Sequence, residues 1–184
     1  MNARDIPNII TGFRILLVFP VVMLLSQYQF AAALAIFVLA GVSDGVDGFL
    51  ARRYHWHSRL GSILDPLADK LLISAVLITL AWLAIAPWWL VLAVFCRDLI
   101  IVVGAAACHY ILGEYSVEPS LLSKLNTFLQ LIVILALMVE QIWHDLPQSI
   151  TTWSINLMML TTILSGLSYI VVWSLRVLRG RKPG

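Results

Sequence analysis

Charged side chains are scarce in this chain. Lys, Arg, Asp and Glu make up 12% of its 184 residues, where soluble domains carry about a quarter. Hydrophobic residues make up 61%, and the mean hydropathy is +0.94. That balance excludes an ordinary soluble domain and leaves an integral-membrane one. The net charge is only +2, and no basic tract is interleaved with aromatics, so no nucleic-acid partner is expected. Cysteine is nearly absent. Cys96 and Cys108 lie in one apolar run, roughly 18 Å apart along a helix. That is too far for a disulfide, so both are read as packing residues. The N-terminal stretch "MNARDIPNIITGFR" lacks the small-residue cleavage site of a signal peptide, so the first apolar run is expected to persist as a span. Repeats, linkers and low-complexity segments are also missing, which predicts one domain over residues 1–184.

Long apolar runs are what the chain has instead. A bilayer-crossing helix needs about 20 mostly apolar residues. Six such runs occur, over 9–27, 30–51, 62–84, 87–112, 121–140 and 149–177, divided by "SQYQ", "AIAP", "GEYSVEPS" and "HDLPQS". The weakest boundary lies between the second and third. The fold class is therefore all-α, a bundle of six transmembrane helices. The distribution of Lys and Arg orients it. With the N-terminus inside, the cytoplasmic segments hold the basic residues, while the outside loops carry Glu140 and Asp145 and no Lys or Arg. Both termini are expected to be cytoplasmic, in a membrane of the bacterial inner (plasma) type.

One polar stretch interrupts this pattern. "SDGVDGFLARRYHWHSRLGSILDPLADK", residues 43–70, holds Asp44, Asp47, Asp65 and Asp69. Spacings of three and four put each pair on one helix face, and the short connection predicts antiparallel neighbouring helices. Four carboxylates beside hydrocarbon repel and are costly to desolvate, so positive charge must offset them. Arg52, Arg53 and Lys70 offer one answer, a basic network. Gly45, Gly48 and Gly61, each costing about 1 kcal/mol of helix stability relative to Ala, point instead to close approach of a ligand or another helix. All-oxygen coordination suits Mg²⁺, Mn²⁺ or Ca²⁺. Two such ions about 4 Å apart form the arrangement used for phosphate displacement. His55 and His57 flank Trp56 without a zinc pattern and are read as interfacial residues. Pro66 suits either the first turn of the third helix or a kink that aims Asp65 inward.

Written as a pattern, the stretch is Asp44-x-x-Asp47-Gly48-x-x-Ala51-Arg52, eight residues, Gly61-x-x-x-Asp65-x-x-x-Asp69. This resembles the signature of the CDP-alcohol phosphotransferases at every fixed position, the eight-residue gap included. The six-span layout agrees, and "IPNIITGFRI" resembles the first-helix entry of the family's glycerol-accepting branch. The resemblance implies that Asp44, Asp47, Asp65 and Asp69 bind two divalent ions, Mg²⁺ or Mn²⁺, which bridge the diphosphate of CDP-diacylglycerol. It implies that Asp69 is also the general base. Gly48, Ala51 and Gly61 then let the cytidine approach the backbone, and Arg52 lies near the donor's phosphates, where its planar donors suit phosphate oxygen. The implied reaction moves a phosphatidyl group onto an alcohol and releases CMP. CMP is water-soluble and diacylglycerol is not, so the site belongs at the membrane surface, on the cytoplasmic face where the charge map puts the aspartates.

The acceptor is read from the fifth span. The glycerol 3-phosphate-accepting branch typically carries Gly-Lys-x-Lys-Thr there, where this chain has Ser123-Lys124-Leu125-Asn126-Thr127, with one lysine instead of two. The form "PSLLSKLNTFLQ" is similar to the branch whose acceptor is phosphatidylglycerol and whose product is cardiolipin. Charge agrees: glycerol 3-phosphate is a dianion, whereas phosphatidylglycerol carries a single phosphodiester charge that Lys124 can meet. Phosphatidylglycerol is therefore the favoured acceptor and glycerol 3-phosphate the alternative. Arg97 and Asp98, inside the fourth span, form either an acceptor site or a structural ion pair. Asn8, Thr11 and Arg14 either line the nucleotide or acceptor pocket, or Asn8 simply caps the first helix. An ion-coupled transporter is the reading from another class, but the carboxylates gather at one membrane face. By analogy with the family, a homodimer is expected.

Overall fold

The computed structural model describes the backbone over residues 6–54, 61–112, 120–143 and 147–180, and side chains over 12–43, 67–106, 120–143 and 149–174. Among the described residues the fold is all-helical, with six helices in order: α1 (Ile6–Ser26), α2 (Phe30–Tyr54), α3 (Gly61–Trp82), α4 (Trp88–Leu112), α5 (Leu121–Ile142) and α6 (Gln148–Gly180). They fall on the six apolar runs, because in hydrocarbon a backbone meets its own hydrogen bonds most simply as a helix. Among the described residues three are long and apolar enough to cross a membrane, over Trp88–Ala106, Leu121–Ile142 and Ser149–Ser174. Shorter apolar segments, Gly12–Ser26 and Phe30–Ser43, lie in α1 and α2.

Two hairpin turns share one device. At the end of α1, the N–H of Gln29 donates to the Leu24 carbonyl at 2.9 Å and that of Tyr28 to Leu25 at 2.9 Å. At the end of α3, Ile85 donates to Leu80 at 2.9 Å and Ala84 to Ala81 at 3.0 Å. Both are Schellman closures, which spend orphan carbonyls of the last turn. The left-handed residue is Tyr28 in one and Ala84 in the other, each with φ of 59°, where glycine is the usual occupant.

The chain forms two compact units. The first comprises residues 1–86 and 134–146, the second 87–133 and 147–184. In the first, α1 packs against both α2 and α3. Val21, Leu25, Ala33, Phe37, Val76 and Leu77 are buried there. Sequence reasoning expected α2 and α3 to be direct neighbours through the motif-bearing ends of both helices, and most of the side chains of those ends lie outside the described residues. In the second unit, α4 packs against α6. Gly104 makes that contact possible, since a Cβ there would overlap the indole of Trp173. Trp173 stacks edge-on with Tyr169, ring centroids 5.5 Å apart, against Ile101 and Ala105. Large apolar side chains such as Phe19, Trp82 and Trp153 remain exposed, which suits a lipid solvent and not water.

Candidate active site

The four motif aspartates stand on two helices of the first unit. Asp44 and Asp47 lie in the C-terminal half of α2, and Asp65 and Asp69 in the first half of α3. The side chains of Asp44, Asp47 and Asp65 lie outside the described residues, as do those of Asn8, Thr11, Ala51 and Arg52. His55, Trp56 and His57 lie outside them altogether. Gly48 is in α2, and Gly61 is the first residue of α3. Pro66 is therefore the sixth residue of α3, past its first turn, and the first-turn reading is corrected. At Gly45 a built Cβ meets no atom within 4 Å. Helix packing among the described residues does not require that glycine.

Asp69 is the motif carboxylate whose surroundings are on view. Its side chain is 40% exposed, and its Oδ1 accepts a hydrogen bond from Arg14 Nη1 at 2.6 Å. Arg14 is 2% exposed, so α1 inserts a buried guanidinium beside the motif. Sequence reasoning sought the offsetting charge in Arg52, Arg53 and Lys70, which are near in sequence. Arg14 is 55 positions from Asp69, and no local pattern links them. The donor set suits a hard divalent cation, because the motif offers only carboxylate oxygens and Asp69 is reachable from outside. Among the described residues no cluster of three ligating side chains occurs.

A second polar cluster lies in the other unit. Arg97 of α4 is 5% exposed and donates to Asp98 Oδ1 at 2.6 Å, to Ser123 Oγ of α5, and to Ser165 Oγ of α6 at 3.1 and 3.3 Å. Arg97 thus joins α4 to both α5 and α6. Lys124 is exposed, directly after Ser123. The seam between α5 and α6 is polar at successive turns. The Ser120 N–H donates to Tyr169 Oη at 3.2 Å, Ser123 and Ser165 share Arg97, and Asn126 meets Thr161 and Thr162. Sequence reasoning missed Ser165, Thr161, Thr162 and Tyr169. The available signal was their recurrence at helical spacing within an otherwise apolar span. Arg97 and Thr162 also line a cavity of about 210 Å³ with Ile100, Ile163 and Leu167.

The family model described as CDP-alcohol phosphatidyltransferase matches residues 4–174. The chain belongs to the CDP-alcohol phosphatidyltransferase family. Its relatives include a "Probable cardiolipin synthase (CMP-forming)" of Drosophila melanogaster, 32% identical over 92% of this chain and 58% of that protein. The human "Cardiolipin synthase (CMP-forming)" is 33% identical over 78% of this chain and 53% of its own length. A "CDP-diacylglycerol--glycerol-3-phosphate 3-phosphatidyltransferase" of Bacillus subtilis is 34% identical over 78% of this chain and 79% of its own. The chain thus spans a little over half of the two synthases named first. The family match runs through both units and contains every motif aspartate.

Proposed function

We propose that the chain transfers a phosphatidyl group from CDP-diacylglycerol to a glycerol-type alcohol and releases CMP, with phosphatidylglycerol as the acceptor and cardiolipin as the product. The observation that carries this reading is the half-exposed Asp69, the last aspartate of a complete family motif, clamped by the buried Arg14. Asp44, Asp47, Asp65 and Asp69 would hold two divalent ions, Mg²⁺ or Mn²⁺, which supply charge neutralisation at the donor's diphosphate. Gly48, Ala51 and Gly61 leave room for the cytidine, and Arg52 binds donor phosphate. Asn8 and Thr11 sit on α1, on the same helix as Arg14 and toward its start, and are assigned to the nucleotide or acceptor pocket. The acceptor oxygen forms a bond to the phosphorus that carries the lipid, the phosphorus–oxygen bond to CMP breaks, and the acceptor's proton passes to the Asp69 carboxylate. Arg14 holds that carboxylate in place through a charge-assisted hydrogen bond.

Lys124 and the Arg97 cluster supply the positive charge for a phosphodiester. The whole chain acts as one domain of six spans, with both termini and the site at the cytoplasmic face of a bacterial inner membrane, and by analogy with the family it forms a homodimer. The second reading has glycerol 3-phosphate as acceptor. It is favoured by the Bacillus subtilis relative, of whose length the chain covers 79%. One experiment separates the two: purified protein with CDP-diacylglycerol and Mn²⁺ is offered phosphatidylglycerol or glycerol 3-phosphate, and the lipid product is identified by mass. Cardiolipin with CMP release is expected. Phosphatidylglycerophosphate as the product moves the acceptor to the second reading, and no CMP from either overturns the assigned activity.

A further inference from the structure

Asn126 is fully buried and Gln130, one turn further along α5, is 4% exposed. Among the described residues, the amide nitrogen of each has no hydrogen-bond partner. An unmet buried donor costs about 1–3 kcal/mol, so two of them on one helix face call for an explanation.

The contacts of Asn126 supply it. Its Oδ1 lies 3.0 Å from Thr161 Oγ1 and 2.8 Å from Thr162 Oγ1. The same hydroxyls lie 2.9 and 2.8 Å from the Met158 carbonyl. Each hydroxyl has one proton, so two protons face four contacts. Rotating the amide by half a turn fills all four. The threonines then donate back to Met158, the acceptor helical threonines ordinarily use. The two amide protons of Asn126 go to the threonine oxygens. Amide ends are assigned by their partners in this way. The end pointing away from Thr161 and Thr162 is then the carbonyl oxygen, an acceptor, with the Gln130 donor one turn away.

An acceptor beside a donor matches a hydroxyl, which gives one hydrogen bond and takes another. It does not match a phosphate, whose oxygens only accept. Asn126 is also one turn beyond Ser123, which Arg97 grips, about 4.5 Å along the axis. A glycerol headgroup whose phosphate sits at Arg97 and Lys124 reaches that far. We infer that Asn126 and Gln130 recognise the non-reacting hydroxyl of the acceptor's glycerol headgroup, with Thr161 and Thr162 holding the Asn126 amide in the required sense. This rests on phosphatidylglycerol being the acceptor.

The test pairs a protein change with a ligand change. Initial rates of CMP release are measured in mixed micelles with phosphatidylglycerol and with the same lipid bearing a propane-1,3-diol headgroup, which keeps the primary hydroxyl and lacks the secondary one. Wild type is expected to favour phosphatidylglycerol by about tenfold or more in kcat/KM, the size of one hydrogen bond to a buried group. Asn126→Leu and Gln130→Leu should each bring that ratio near one, and Thr162→Val should lower it several-fold. KM for CDP-diacylglycerol should stay unchanged. A purely structural role slows both lipids equally and leaves the ratio intact, which overturns the inference. So does a wild type that uses both lipids alike. Should the leucine variants fail to fold, the ratio for Thr162→Val decides. A wild type that makes product only from glycerol 3-phosphate overturns the acceptor assignment itself, and is distinguished by the mass of that product.

Discussion

At the residue scale, the ion pair between Arg14 and Asp69 makes the site testable from a direction the motif does not suggest. Arg14 lies on a different helix from every motif aspartate, yet its guanidinium is 2.6 Å from Asp69. Arg14→Met leaves Asp69 without its clamp, and turnover should fall at least tenfold with protein still folded. Arg14→Lys keeps the charge but not the planar fork and should recover part of the loss. Asp44→Asn, Asp47→Asn, Asp65→Asn and Asp69→Asn should each abolish most CMP release without unfolding, because they remove mutual repulsion as well as function. Near-normal rates in two of these at saturating Mn²⁺ would remove the two-ion assignment. Lys124 belongs to the other unit. Hydrogen bonds to charged groups are worth about 1.5–3 kcal/mol, so Lys124→Ala should raise the acceptor KM roughly ten- to a hundred-fold and leave that of CDP-diacylglycerol alone. Equal changes for both substrates would reduce Lys124 to an interfacial residue.

At the scale of elements, helix ends and helix contacts carry their own consequences. Ala84 takes a left-handed conformation that costs an L-residue roughly 1–2 kcal/mol, and nothing about a methyl group compensates. Ala84→Gly should therefore raise the unfolding temperature in detergent micelles; a fall would mean that the Schellman closure at the end of α3 does not persist in the protein. Gly104 sits under the Trp173 indole. Gly104→Ala forces that ring to move, at a cost typical of overpacking, about 1–3 kcal/mol, and should lower the unfolding temperature. Trp173 fluorescence would report the displacement. The seam between α5 and α6 works differently. Its serines, threonines and Asn126 replace apolar packing with hydrogen bonds, which in lipid hold helices together where hydrophobic burial adds little.

For the whole molecule, the proposed orientation in the membrane rests on the distribution of charge. With no Lys or Arg in the three loops proposed to lie outside, a cysteine placed at Gln148 should react with an impermeant thiol reagent added to intact cells. One placed at Ser58 should not, with Cys96 and Cys108 replaced first. The reverse pattern would invert the topology and put CMP release on the wrong face. The sequence by itself determined the helices, because in a chain this apolar the length of each run and the turn residues between runs leave little choice. It also determined the carboxylate motif, because i, i+3 and i, i+4 spacings are local. It did not reveal Arg14 beside Asp69, the Arg97 bridge to Ser123 and Ser165, or the contacts of Asn126 with Thr161 and Thr162. Those depend on how helices rotate about their own axes. In a membrane span apolar residues face both lipid and protein, so hydropathy does not say which side is inside; only packing aligned the few polar side chains with one another.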